Sequence, residues 1–170
     1  PMEFSAKFRF LAGQYVTLKF LHNGKMVTND YSMTNAPNEC KISLGIKIND
    51  QKSAAFSLFK NTEVGDFLEV STPRGRFTIN EKPHEFRTIV AVASGIGITP
   101  ILSHLKHILN TEPRTRLFLF YGNKSREETA FKKELDLLSA GNKERFDIHY
   151  FYSREKVGNP FLEGRLDGKK

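Results

Sequence analysis

The chain has 170 residues, 39% hydrophobic and 26% charged, a composition that supports one large or two small packed domains. Its single cysteine, Cys40, excludes an internal disulfide framework and any iron–sulfur or zinc site that needs several thiolates from this chain. The net charge of +7 favours phosphate-bearing or acidic partners. No apolar run approaches the roughly 20 residues of a membrane span, and no secretory leader opens the chain, so we expect a cytoplasmic protein.

The first half predicts an antiparallel β unit. Turn signals, among them the hairpin-type pair Asn23-Gly24, separate four short segments rich in β-branched and aromatic residues, at 14–21, 26–32, 41–48 and 67–72. Residues 53–61 predict one short helix. Repeated short strands with little helix between them favour a small all-β, antiparallel barrel of the Greek-key type.

The second half alternates strands and helices. Strands are predicted at 88–93, 116–121 and 146–152, and helices at 100–109 and 127–138. The first of these strands is continuously apolar, which is typical of a strand buried on both faces. The alternation predicts an α/β domain with a parallel sheet and right-handed crossovers. Because Pro83 and charged neighbours interrupt both patterns, we divide the chain into a barrel, 1–82, and an α/β domain, 83–170.

A glycine turn joins the first parallel strand to its helix. Gly95 and Gly97 permit positive φ angles and a close approach of ligand to backbone, while Thr99 predicts an N-cap and Pro100 suits the first turn. Free N–H groups at a helix start attract phosphate. The third glycine of the usual dinucleotide fingerprint is missing, and no Gly-Lys-Ser/Thr follows as in a P-loop. The turn alone therefore fits phosphate binding and a purely structural role equally well.

The order of short motifs along the chain is more informative than any one motif. They are AGQYV at 12–16, DYSM at 30–33, GIK at 45–47, VGD at 64–66, PRGRF at 73–77, SGIGITP at 94–100, YGN at 121–123 and GRLD at 164–167. In this succession the chain resembles the ferredoxin–NADP reductase superfamily, especially its flavin reductase and oxygenase-reductase branch. The resemblance implies an FAD-binding barrel followed by a nicotinamide-nucleotide domain. It also implies an enzyme in which NAD(P)H gives a hydride to FAD, which passes electrons singly to an iron–sulfur, haem or other acceptor.

The resemblance assigns residues of the barrel to FAD. Tyr31 would pack its ring on the isoalloxazine, unless it is simply a core aromatic, and Ser32 would offer its hydroxyl near flavin N5. The FAD phosphates or ribose would be held by the backbone of Gly45, Ile46 and Lys47, and a second phosphate by Ser53 or Ser57. Asn29 stands where the family usually has an arginine that pairs with a flavin phosphate. We therefore expect weaker FAD binding, since hydrogen bonds to charged groups contribute roughly 1.5–3 kcal/mol.

The resemblance assigns residues of the second half to the nicotinamide nucleotide. Gly95 and Gly97 would admit the pyrophosphate, and Thr99 would line the nicotinamide pocket, as a catalytic residue beside Tyr31 and Ser32. The lip of the site would be formed by Tyr121, Gly122 and Asn123. NADPH-using members hold the 2′-phosphate with a Ser-Arg pair, which Ser153 and Arg154 match. The alternative is an exposed turn with a solvated arginine, and on balance the pair favours NADPH over NADH.

Several weaker sequence signals limit the metals and partners that we expect for this chain. The family continues beyond the GRLD motif and begins before residues 4–10, so we interpret this chain as a fragment lacking both ends. His104 and His107 have no acidic or cysteine partner at metal spacing, so we expect no metal site. The basic residues are too dispersed for nucleic-acid binding, but an acidic electron-transfer protein or a fused iron–sulfur or haem domain fits them. The alternatives are a non-catalytic flavin- or nucleotide-binding module or regulatory subunit, and a generic basic interaction domain.

Overall fold

A computed structural model describes residues 8–166. The interpretation of the chain as a fragment concerns its two ends, which lie outside these residues. The first half contains a three-stranded antiparallel sheet in the order β2-β1-β3. Its strands are β1, Tyr15–His22, β2, Lys25–Ser32, and β3, Glu69–Val70. The predicted hairpin is confirmed, because Asn23 and Gly24 adopt φ angles of 49° and 74°, as a two-residue turn with matching twist requires.

Helix α1, Ala54–Lys60, packs against this sheet, as predicted for residues 53–61. Ser53 is its N-cap, and the Ser53 hydroxyl accepts the N–H of Phe56 at 3.2 Å. Alternate residues of β1 point into a core that β2, α1 and neighbouring loops complete. The buried members of this core are Phe10, Val16, Leu18, Phe20, Met33 and Leu58.

One strand predicted for the first half is wrong, and another is shorter than predicted. Residues 41–48 form no ladder, and Leu44 makes only one isolated bridge, to the residue after β2. The Asn35 side chain accepts the N–H of Ser43 at 2.9 Å, so a side chain takes a backbone group that a ladder would have used. The strand predicted at 67–72 is reduced to the two residues of β3.

The second half contains a three-stranded parallel sheet in the order β4-β5-β6, as predicted. Its strands are β4, Thr88–Ser94, β5, Arg116–Asn123, and β6, Phe146–Tyr152. The helices α2, Ile98–Thr111, and α3, Lys132–Gly141, alternate with them. An antiparallel β unit followed by a parallel α/β unit is the architecture that the sequence predicts. No helix of residues 8–166 has the length and apolarity needed to cross a membrane.

The helices of the second half begin differently from the prediction. The glycine turn is one turn of 3₁₀ helix that leads directly into α2, so Gly97 is the N-cap. The prediction that Thr99 is the N-cap is wrong, because Thr99 lies inside the first turn and donates its hydroxyl to the Ile96 carbonyl at 3.1 Å. Helix α3 begins only at Lys132, since Phe131 adopts a left-handed φ of 58° that interrupts any helix before it.

Strand β4 is buried on one face only among the described residues, contrary to the prediction of burial on both faces. Ala93 is 5% exposed, whereas Val90 and Val92 are 59% and 61% exposed. Both α2 and α3 contribute to one core cluster with the sheet, which explains the burial of a single face. The most buried members of that cluster are Ile98, Leu102, Leu105, Leu117, Leu119, Tyr121, Leu135 and Phe146.

Helix α2 also joins the two halves of the chain. The buried Ser103 hydroxyl donates to the carbonyl of Asn35 at 2.7 Å. His104 Nε2 lies 2.9 Å from the carbonyl of Phe77, whose ring packs edge-on against the imidazole. Burial lowers the pKa of His104, and the neighbouring His107 lowers it further. The neutral ring therefore donates its Nε2 proton across the junction at pH 7.

Glu112, 1% exposed at the end of α2, anchors the segment that connects the halves. Its carboxylate accepts hydrogen bonds from Arg87 at 2.9 and 2.5 Å, from the Thr115 hydroxyl at 2.6 Å and from the Lys82 N–H at 3.1 Å. Burial alone would raise the pKa of Glu112, but these hydrogen bonds outweigh it and lower that pKa. The carboxylate is therefore charged and fully paired inside the fold.

Candidate functional site

The carboxyl ends of the three parallel strands open into a cavity of about 470 Å³. Open α/β sheets bind their ligands at this edge, where the loops diverge. The lining comes from the glycine turn, from the residues after β5 and β6, from residues 164–166, and from one residue of the first half. The predicted site residues that line the cavity are Lys47, Gly95, Gly122, Asn123 and Ser153.

Gly95 presents bare backbone to this cavity. Its φ of 51° is left-handed, and a Cβ at this position would meet nothing within 4 Å. The fully buried Tyr121 donates its hydroxyl to the Gly95 carbonyl at 2.8 Å and so holds the turn against β5. Burial raises the pKa of Tyr121 to about 12, so this hydroxyl remains a donor at neutral pH. Tyr121 thus holds the glycine turn in place, while Gly95 leaves open space on the side of the cavity.

Asn123 supplies an unpaired amide at the end of β5. The residue is 8% exposed, yet neither Nδ2 nor Oδ1 forms a hydrogen bond with another described residue. The Asn123 side chain lies near the Tyr121 hydroxyl and partly offsets the rise in the Tyr121 pKa. The two groups do not form a hydrogen bond of normal geometry. A buried polar group left unpaired costs roughly 1–3 kcal/mol. Both amide atoms are buried, so a ligand in the cavity would pair with them only after the side chain turned toward the opening.

The charged side chains of the cavity are three cations and one carboxylate. Lys47 comes from the first half of the chain, while Lys124 and Arg165 belong to the YGN-Lys and GRLD segments. Glu128 Oε2 lies 3.4 Å from Lys124 Nζ and 4.0 Å from Lys47 Nζ. An open glycine and an excess of positive charge together suit a phosphate-bearing nucleotide.

Comparison with known proteins agrees with this site. A family model for the Oxidoreductase FAD-binding domain matches residues 3–79, and one for the Oxidoreductase NAD-binding domain matches residues 91–170. The fold matches that of ferredoxin–NADP⁺ reductase from Plasmodium falciparum with a TM-score of 0.76 at 21% identity, over 89% of this chain and 63% of that one. The chain matches both of these oxidoreductase domains and has the fold of the ferredoxin–NADP reductase superfamily.

Two curated relatives in this superfamily show its range. One component of the Escherichia coli 1,2-phenylacetyl-CoA epoxidase is 30% identical over the whole of this chain and 48% of that protein. NADH-cytochrome b5 reductase 1 of Dictyostelium discoideum is 34% identical over 86% of this chain and 50% of that protein. The chain thus spans about half the length of these relatives.

Four nucleotide residues that the superfamily pattern predicts do not line the cavity: Gly97, Thr99, the fully buried Tyr121 and the exposed Arg154. Gly97 begins α2 with open space around its Cα. Thr99 is 6% exposed, and its hydroxyl is bonded to the carbonyl of Ile96. Its methyl group lies so close to Gly45 that a Cβ there would come within 2.3 Å of it. Thr99 therefore stands at the contact between the two superfamily domains.

The Ser-Arg pair extends the sheet beyond β6. The backbone N–H groups of Ser153 and Arg154 each donate at 2.9 Å to carbonyls at the end of β5 and just after it. Ser153 lines the cavity, whereas Arg154 is exposed and is not part of the lining. The next residue, Glu155, accepts the N–H of Arg126 at 2.7 Å and pairs with its guanidinium at 3.3 Å. The carboxylate nearest to Arg154 in sequence is therefore neutralised by another arginine.

The predicted flavin residues lie at the end of β2 that approaches α2. Tyr31 is half-buried, and its hydroxyl accepts the Asn29 amide at 3.2 Å. Ser32 is the last residue of β2, and three residues later Asn35 contacts the second domain. Ile46 packs against the barrel core beside Gly45. The flavin residues and the nucleotide cavity thus flank one junction between the domains.

The two serines predicted to compete for a flavin phosphate already have partners. The Ser53 hydroxyl donates to the carbonyl of Asp50 at 2.6 Å while it caps α1. The Ser57 hydroxyl lies 2.7 Å from Nδ1 of His22. A phosphate at either serine would have to replace these hydrogen bonds, whereas the nucleotide cavity offers open groups.

Part of the cavity is not evident from the sequence. The superfamily resemblance assigns Lys47 to FAD through its backbone, but the Lys47 side chain reaches the nucleotide cavity. Lys124 resembles part of a solvated basic face, although its place directly after the YGN motif is a usable signal. No pattern in the sequence points to Glu128. His104 and His107 form no metal site among the described residues, which hold no group of three potential ligands.

Proposed function

We propose that this chain binds FAD in its first domain and a nicotinamide nucleotide in the cavity of its second. NAD(P)H then gives a hydride to FAD, and electrons pass singly to an iron–sulfur, haem or other acceptor. The observation that carries the proposal is the cavity at the ends of β4 to β6, which faces the first domain through Lys47. We place the domain boundary between residues 82 and 83, inside the segment anchored by Glu112.

Each predicted residue has a distinct role in this proposal. Bound FAD supplies the hydride acceptor and the one-electron chemistry. Tyr31 packs on the flavin ring, and Ser32 offers a hydroxyl where the hydride arrives. In the nucleotide cavity, the open backbone at Gly95 admits the pyrophosphate, while Gly122 and Asn123 form the lip at the end of β5. Tyr121 acts from behind, because it holds the Gly95 turn.

We also propose that the chain prefers NADPH to NADH. Arg154 is exposed and directly follows Ser153 of the cavity lining, and its planar guanidinium matches a phosphate with two parallel hydrogen bonds. Glu155 would repel a 2′-phosphate if it were free, but its carboxylate pairs with Arg126. The relatives include an epoxidase component and a cytochrome b5 reductase. The proposal therefore names no single protein as the electron acceptor. A cytoplasmic location is part of the same proposal.

The proposed activity is tested on the purified chain supplied with FAD. We expect a flavin absorbance band that NADPH bleaches under anaerobic conditions, together with NADPH-dependent reduction of ferricyanide. A protein that binds FAD but is not bleached by either nucleotide would favour the non-catalytic module instead. Asn29 in place of the phosphate-pairing arginine and the occupied hydroxyls of Ser53 and Ser57 favour a non-catalytic module that binds the nucleotide and holds FAD weakly. A protein that binds neither cofactor would refute both.

The coenzyme preference is tested with Arg154→Ala. A charge-assisted hydrogen bond contributes roughly 1.5–3 kcal/mol, and at an exposed site we expect the lower end, about tenfold in the NADPH/NADH ratio of kcat/KM. Lys156→Ala is the matched control, because it removes one positive charge from an exposed neighbour on the same loop. An equal change in the ratio for both variants would show a general charge effect and remove the specific role of Arg154.

A further inference from the structure

Three charged side chains meet at the mouth of the nucleotide cavity and connect the two domains. Glu128 Oε2 lies 3.4 Å from the ammonium of Lys124 and 4.0 Å from that of Lys47. Lys47 belongs to the FAD-binding half and Lys124 to the nucleotide-binding half. All three line the same cavity, with side chains 38% to 48% exposed. One carboxylate therefore serves two cations that no single domain brings together.

The Glu128 carboxylate is held only by these cations. Its backbone N–H donates to the Ser125 hydroxyl at 3.3 Å, which fixes the local turn. Among residues 8–166, its side-chain oxygens contact only the ammonium groups of Lys47 and Lys124. Half-exposed ion pairs of this kind are worth little, about 0.2–1 kcal/mol each. A ligand with two phosphate groups can therefore displace the carboxylate readily.

We propose that Glu128 is a displaceable counter-ion, which neutralises Lys47 and Lys124 in the free protein and yields both to the pyrophosphate of a bound nicotinamide nucleotide. This inference rests on the proposed function, because it assigns the cavity to such a nucleotide. It makes Glu128 a residue that lowers nucleotide affinity, since a carboxylate near the pyrophosphate is repelled by it. Arg165, which lines the same cavity, provides a cation that Glu128 does not engage.

A counter-ion and a nucleotide ligand predict opposite effects on nucleotide affinity when the Glu128 charge is removed. If Glu128 accepted hydrogen bonds from the nucleotide, Glu128→Gln would weaken binding. If it competes with the nucleotide, the same change strengthens binding, because the cations lose their internal partner. The neighbouring Glu127 is exposed and does not line the cavity, so Glu127→Gln removes the same charge without freeing either cation.

The experiment measures the Kd of NADP⁺ and NAD⁺ for the parent chain and both variants by isothermal titration calorimetry at low ionic strength. We expect Glu128→Gln to bind both nucleotides about two- to fivefold more tightly, a factor that matches the release of one or two half-exposed ion pairs. Glu127→Gln should bind like the parent. We also expect a steeper loss of affinity with added salt in Glu128→Gln, because its cations are no longer neutralised internally.

A double variant tests the two-domain arrangement. Lys47→Gln should cost more affinity in the Glu128→Gln background than in the parent, since Glu128 masks part of the Lys47 charge in the parent. Equal or weaker binding by Glu128→Gln, while the parent binds nucleotide, would overturn the counter-ion role and leave the proposed function intact. A parent chain that binds neither nucleotide would overturn both. Far-UV circular dichroism of each variant checks that the fold is retained.

Discussion

Gly45→Ala is a substitution for which the structure predicts a clear steric effect at the contact between the domains. A Cβ at this position would lie 2.3 Å from Cγ2 of Thr99 and 2.9 Å from Cζ of Phe131, where ordinary contacts are 3.4–4 Å. The cost is steric rather than conformational, because the φ angle of Gly45 is outside the left-handed range. Neither neighbour moves freely, since the Thr99 hydroxyl is bonded to the Ile96 carbonyl and Phe131 packs against the core of the second domain.

We therefore expect the upper part of the range for overpacked sites, about 3 kcal/mol. For a chain of this size, about 2–4 °C per kcal/mol gives a fall in Tm of roughly 6–12 °C. The chain has no tryptophan, so far-UV circular dichroism is the suitable probe of thermal unfolding. The added methyl presses on the contact between the domains, so the loss of stability should accompany loosened docking.

Two further variants make this prediction sharp. Gly97→Ala is the matched control, because Gly97 has a helical φ of −61° and open space around its Cα, and its Tm should not fall. Thr99→Ser removes Cγ2 but keeps the hydroxyl, so combining it with Gly45→Ala should recover part of the lost Tm. A fall in Gly45→Ala no larger than that of Gly97→Ala, or no recovery in the double variant, would refute the reasoning.

Four other substitutions, one of them a control, probe the second domain by urea unfolding. Glu112→Gln leaves Arg87 without its buried partner and should cost about 3–5 kcal/mol. The pKa of Glu112 in the folded protein is below its usual 4.5, so the charged carboxylate stabilises the parent fully above pH 4.5 and progressively less as the pH falls. The free energy of unfolding of Glu112→Gln should therefore depend less on pH in this range. Tyr121→Phe should cost about 1 kcal/mol through the lost bond to the glycine turn, and no loss would contradict that anchoring. Leu119→Ala, at a fully buried site, should cost about 2–5 kcal/mol, whereas Leu137→Ala, 74% exposed, should change stability by less than about 0.5 kcal/mol.

Local chemistry explains which elements were predictable. The helix at α1 and the strand at β6 match the prediction closely, because their periodicity and their end signals, such as the Ser53 cap, are contained in neighbouring residues. The prediction is wrong at 41–48, where the Asn35 side chain competes for backbone groups. It is also wrong at the start of α3, where Phe131 takes a conformation that phenylalanine rarely adopts.

Some residues of the candidate site were also predictable from the sequence, and others were not. Gly95, Asn123 and Ser153 were predictable as site residues, because each follows or ends a strand of the parallel sheet and the ends of parallel strands meet at one edge. The Lys47 side chain and Glu128 could not be placed there from the sequence. They come from distant segments, and their meeting depends on how the two domains dock.

By itself, the sequence determined the order of a β unit and an α/β unit, the glycine turn, and the motif succession that indicates the superfamily. Hydrophobic periodicity and turn chemistry act over a few residues, so they are legible without coordinates. Only the tertiary structure decided that Thr99 contacts Gly45 instead of lining the cavity, and that one carboxylate lies between cations of both domains. The net charge of +7 names no site, because the position of a charge relative to a cavity is set by the fold.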